Sequence, residues 1–170
     1  MEKIKPIALC ITYMGKGGLE LYKIYPGKIV ENILNEIVIK SMPMGAKEGD
    51  FTTVTISDGK VFSGFIFSIP YEIGRDNIVS LIAIFDGFNY RVVTIENNFR
   101  KIITSLKEHN LATLEIIGEL LPQIYDCFIK TKGVLKLNNG FTIPINFTTL
   151  PLTKKDKLAE FTEDIWGKKS

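Results

Sequence analysis

Residues 78–85 read Ile78-Val79-Ser80-Leu81-Ile82-Ala83-Ile84-Phe85, a stretch with a single hydroxyl and no charge. It is of strand length. A strand that is apolar at every position, not every second one, is central in its sheet and covered on both faces. Residues 5–13 contain a second such run, Ile7-Ala8-Leu9-Cys10-Ile11-Thr12-Tyr13. Two central strands of this kind require helices on both sides of one sheet.

The remaining elements arrange themselves around that pair. Met14-Gly15-Lys16-Gly17-Gly18 reads as a turn, and Leu19–Tyr25 as the returning strand, stopped by Pro26-Gly27. Lys28–Ser41 has helical spacing: Ile29, Ile33 and Ile37 recur every four residues, with Val30, Leu34 and Val38 beside them. Met42-Pro43 ends that helix. Residues 51–57 alternate, Asp58-Gly59 is a tight-turn signal, and Lys60–Ile69 returns. After the strand 78–85, Val92, Ile95, Phe99, Ile102 and Leu106 form an apolar helical stripe that ends near His109-Asn110. A second helix is expected over Ala112–Lys130, with a kink or break at Pro122. Strands 133–137 and 141–147 flank Asn138-Asn139-Gly140 as a hairpin. Thr153 then caps a last short helix with Leu158, Phe161 and Ile165 on one face.

The expected fold class is therefore α/β (α+β). A five-stranded, mainly antiparallel sheet is covered by helices on both faces in the order ββαβββαα, with a C-terminal ββα extension. The division is 1–131 for the main domain and 132–170 for the hairpin and short helix, packed on that domain or on a partner. Leu158, Phe161, Ile165 and Trp166 are too apolar for a free end.

Composition narrows the function classes. The 170 residues carry 21 basic and 19 acidic side chains, a net charge of +2, so the overall charge does not call for nucleic acid. Cys10 and Cys127 form no C-x-x-C pair, which fits a reducing compartment without disulfides. The first residues lack the apolar core of a signal peptide, and no run approaches the roughly 18 apolar residues of a membrane span. The expectation is a cytoplasmic protein that reaches membranes only through partners.

The chemistry-bearing residues do not assemble into a catalytic or metal motif on the sequence. His109 is the one histidine and sits at a helix end. A His-based triad or zinc site cannot be built around it in the usual way. The glycines at 15, 17 and 18 precede a strand, whereas a phosphate loop needs G-x-x-x-x-G-K-[ST] before a helix. Asp50, Asp58, Asp76 and Asp86 border strands, where turn formation explains them. Phe62, Phe65, Phe67, Phe85 and Phe88 lack the basic accompaniment of base-stacking surfaces and read as core. No catalytic residue, cofactor or metal site is expected on these grounds.

Two segments carry a resemblance. Gly17-Gly18-Leu19-Glu20-Leu21-Tyr22-Lys23-Ile24-Tyr25-Pro26 resembles the Gly-Pro-x-x-x-Tyr-x-x-Pro second strand of longin domains in small-GTPase regulators such as the nitrogen-permease-regulator-like group. Gly17 and Tyr22 match; Gly18 replaces the proline, and one extra residue precedes Pro26. Val61-Phe62-Ser63-Gly64-Phe65, with Tyr71 through Asn77, resembles the group's fourth strand and Tyr-x-Arg-Asn loop. The likeness covers about residues 5–130 and implies a longin or profilin-like fold. It further implies a non-catalytic domain that pairs with itself or with a longin or roadblock partner and binds or regulates a small GTPase in trafficking or signalling. Glu20, Tyr22, Lys23, Tyr71, Arg75 and Asn77 are then the partner-binding candidates. Arg75 would be an arginine finger, whose guanidinium spreads charge over a transferring phosphoryl group. Here Tyr71 precedes it by four residues, and Asp76, which intervenes before Asn77, could pair with it instead. The competing class is a profilin-like cytoskeletal or lipid-binding protein, against which a chain opening on a strand counts.

Overall fold

The computed structural model describes residues 5–27, 29–70 and 77–148. Strand β1 (Ala8–Gly15) pairs on one side with β2 (Gly18–Tyr25) and on the other with β5 (Asn77–Phe85). Strand β4 (Val61–Ile69) pairs with β5 and with β3 (Phe51–Thr55). Every pairing is antiparallel, and the order across the sheet is β2-β1-β5-β4-β3. The two apolar runs lie next to each other, with β5 central and buried from Val79 to Phe85.

Side-chain alternation sends β1 into two cores. Ala8 and Cys10 face helix α1 (Glu31–Lys40), where Ile33 and Ile37 pack with Ile56, Phe62, Ile82 and Ile84. Leu9 and Ile11 face the opposite side, against helices α2 (Val92–Glu108) and α3 (Leu114–Lys130). The architecture is thus mixed α+β, with a five-stranded antiparallel sheet and helices on both faces. Each buried aliphatic or aromatic side chain contributes about 1.5–3 kcal/mol relative to exposure.

Turn chemistry fixes the register. Between β3 and β4, Asp58 and Gly59 adopt φ of 61° and 70°, as the central residues of a primed turn require. A second sheet, β6 (Lys132–Lys136) with β7 (Thr142–Asn146), closes through Asn138-Asn139-Gly140, where Gly140 has φ +87°. Its inward residues Leu135, Ile143 and Ile145, followed by Phe147, enter the same core as α2 and α3. Asn98 of α2 bonds both the amide and the carbonyl of Asn146, which ties the hairpin to that helix.

Three expectations change. Phe88, read as core, lies between β5 and α2 and is 64% exposed. The first helix begins at Glu31, not residue 28: Val30 is extended (φ −50°, ψ 133°), although Ile29 still packs on the α1 core. The apolar spacing therefore persists beyond the helix itself. Helix α3 runs without a break through Pro122. Its first-turn cap, in which Thr113 accepts from the Ile116 amide, and its seven buried residues outweigh the hydrogen bond that proline forfeits. The expected last helix after Thr153, with the apolar residues 158–166, lies outside the described residues.

Candidate functional site

The candidate surface is the β2 edge with the flank of α1 above it. Among the described residues, β2 pairs only with β1, so one side of its backbone faces outward. The orientation of α1 follows from Glu36. Its carboxylate accepts from Lys40 at 2.9 Å and from the Ser57 hydroxyl at 2.8 Å and amide at 3.2 Å. Those bonds hold Glu36 well below the usual carboxylate range, at about 2: the Lys40 hydrogen bond contributes most, then the two from Ser57. Ser57 belongs to the β3–β4 turn, so this flank of α1 points to the β3 side. Leu34 and Val38 lie two residues away from Glu36 in either direction, about 200° around the helix. Helical spacing therefore puts them on the flank away from the β3 side, and α1 shares its core with Leu21 and Ile24 of β2. Val30 is 68% exposed, and Leu34 and Val38 are half-buried.

The other face of β2 is shaped by a bulge. Ile11 lies opposite Lys23 and Thr12 opposite Leu21, which leaves Tyr22 as the extra residue. Tyr22 and Lys23 consequently both reach α3. A Cβ on the buried Gly118 would sit 3.1 Å from Tyr22 Cε2 and 3.4 Å from Lys23 Cδ, so glycine is what allows α3 this close to the edge. The Tyr22 ring meets Tyr13 edge-on at 6.1 Å, and the Tyr13 hydroxyl donates to Glu20 at 2.6 Å. Glu20, Tyr22 and Lys23 therefore form one cluster on the α3 face of the edge, with Glu20 and Tyr22 exposed.

Asn77 opens β5 opposite Ile69, at the sheet end that carries the β1–β2 turn. One strand separates it from β2, roughly 10 Å across. Tyr71 and Arg75 lie outside the described residues, as does Asp76. Sequence reasoning selected the β2 residues but missed the α1 flank, because Val30, Leu34 and Val38 look like ordinary core beside Ile33 and Ile37.

The other chemistry-bearing residues have structural work. His109 Nδ1 lies 2.9 Å from the Ser105 carbonyl, and its ring stands 3.8 Å from that of Phe141. Asp50 accepts from the Lys47 amide at 2.8 Å, and Asp86 pairs with Lys60 at 3.4 Å. Arg100 lies over the Phe65 ring at 5.0 Å and donates to the Gly49 carbonyl. Gly15 to Gly18 turn between two strands, with the Glu20 carboxylate over Gly15. Burial pushes the Cys10 thiol up to about 12. Among the described residues no three His, Cys, Asp or Glu side chains converge as metal ligands, and no helix is long and apolar enough to cross a membrane. In comparison with known proteins, the chain matches no family model, and no curated protein shows significant similarity to it.

Proposed function

We propose that this chain is a longin-type interaction domain that pairs with another longin or roadblock domain through the β2 edge and the α1 flank, and so binds or regulates a small GTPase. The strand order, with one helix on the first face and two on the second, supports the longin-type reading. The observation that carries the interaction is that α1, whose Val30 is exposed and whose Leu34 and Val38 are half-buried, packs against β2, which among the described residues pairs on one side only. Such an edge accepts a partner strand, and the flank supplies the apolar contact that makes the pairing specific. The bulge and Lys23 at the same edge disfavour indiscriminate strand addition.

Arg75, from the loop that resembles the family's, is the candidate finger on the GTPase. An arginine finger accelerates hydrolysis by roughly 10³–10⁵. Replacing it with alanine should abolish stimulated hydrolysis and leave binding largely intact; unchanged hydrolysis removes the finger role. The pairing is tested by Leu34→Asp with Val38→Asp. Capture of a longin or roadblock partner should fall at least tenfold while the folded state persists, because both positions are half-buried. Undiminished capture by this variant contradicts the proposed surface.

A further inference from the structure

A cleft of about 450 Å³ opens between α3 and the β6–β7 turn, on the face opposite α1. Its lining includes the apolar Leu111, Ile116, Leu120 and Leu137, with the charged Glu119 and Lys136. The gap is built into the packing. Gln123 of α3 donates to the Lys136 carbonyl at 2.9 Å and accepts from the Lys136 amide at 2.7 Å. This two-point bridge uses a polar side chain as a spacer and holds the end of β6 off the helix. The volume lies in the range of roughly 300–1,000 Å³ that accommodates a few apolar groups.

Twenty-two residues follow Thr148, the last described position. Within them Leu158, Phe161 and Ile165 recur at steps of three and four, with Trp166 adjoining. We propose that this C-terminal segment occupies the cleft in cis and covers its apolar lining. Reach permits it. Strand β7 leads away from the cleft over five residues, about 17 Å, and the ten residues from Thr148 to Leu158 span up to about 35 Å. Charge also fits: Lys154, Lys155 and Lys157 precede the apolar residues and can meet Glu119, while Glu160 and Glu163 can meet Lys136. The inference is independent of the GTPase reading.

Trp166 is the only tryptophan of the chain, so fluorescence excited at the red edge of the tryptophan band, where the six tyrosines absorb little, reports this segment. Acrylamide should quench Trp166 several-fold less in the folded chain than in the denaturant-unfolded chain. Ile116→Asp and Leu137→Asp should each raise quenching toward the unfolded level, whereas Ile39→Asp, on α1 across the sheet, should leave it low. Unfolded-level quenching in the wild-type chain, or protection that survives both cleft substitutions, overturns the proposal. So does protection that grows with protein concentration, which would assign the segment to a second copy. A second measurement does not depend on apolar-to-acid changes. Cys10 and Cys127 are buried, so a bimane label goes to the added thiol of an Asn139→Cys variant. Its emission should be quenched by contact with Trp166 and recover when Trp166→Phe is added; equal emission with and without the tryptophan refutes the docking.

Discussion

The hairpin β6–β7 is expected to be energetically continuous with the main core, and Phe128 and Phe147 provide the measure of it. Their rings stack at 3.7 Å with 12° between planes. Phe128 also meets Phe85 edge-on at 6.2 Å and Phe99 at 6.3 Å. Each aromatic pair contributes about 0.5–1.5 kcal/mol beyond its buried area. Replacement by leucine retains most of the apolar volume but removes the ring contacts. Phe128→Leu loses three such pairs and should cost about 2–4 kcal/mol; Phe147→Leu loses the one with Phe128 and should cost about 1 kcal/mol. The shared pair is counted in both, so the double variant should fall short of additivity by about 1 kcal/mol. Equilibrium unfolding in urea gives all three values. A coupling below about 0.3 kcal/mol, or a Phe147→Leu chain as stable as the wild type, would refute the idea that the hairpin shares this core.

Three further outcomes follow from the geometry. Glu36 has a folded pKa of about 2, depressed below its unfolded value. It therefore stabilises the fold above the ordinary carboxylate range, and that contribution is lost as pH falls from about 4.5 toward 2. Thermal melts of wild type and Glu36→Gln should differ at neutral pH and converge near pH 2; a constant difference contradicts the assignment. The Cys10 thiol, raised by burial to about 12, and the Cys127 thiol, raised chiefly by burial, should resist a thiol reagent at pH 8 until the chain is unfolded. Rapid labelling of the native chain at either position would show that the packing there is looser than described. Gly118→Val should push Tyr22 and Lys23 away from α3 and cost about 1–3 kcal/mol, read as a lowered melting midpoint; an unchanged midpoint would mean that β2 yields without strain.

The elements of this fold were legible wherever local pattern and tertiary demand agree. Residues 78–85 announce a central strand because burial on both faces removes all polar alternation. Asp58-Gly59 and Asn138-Asn139-Gly140 announce their turns because positive φ restricts residue choice. Legibility fails where tertiary packing overrides a local rule. Pro122 suggests a kinked or broken helix, yet the helix continues through it, with Ile117, Leu120, Leu121 and Ile124 buried on both sides. Ile29 extends the helical spacing without belonging to the helix. The candidate site was legible only in part. Glu20, Tyr22 and Lys23 stand out on an edge strand, but the bulge at Tyr22 leaves no mark in the sequence, and it is what turns both Tyr22 and Lys23 toward α3. The proposed docking flank Val30-Leu34-Val38 is indistinguishable by pattern from core, and the Glu36–Ser57 contact, with the burial of Ile33 and Ile37, is what shows which way α1 is rotated.

The most direct test of a GTPase-serving interaction domain is capture by the full chain from native lysate, with small GTPases held in GDP, GTP-analogue and nucleotide-free states. Under the proposed function, a small GTPase is retained selectively in one of these states, and retention falls at least tenfold with Leu34→Asp and Val38→Asp. Retention of no GTPase in any state by a well-folded chain would contradict it.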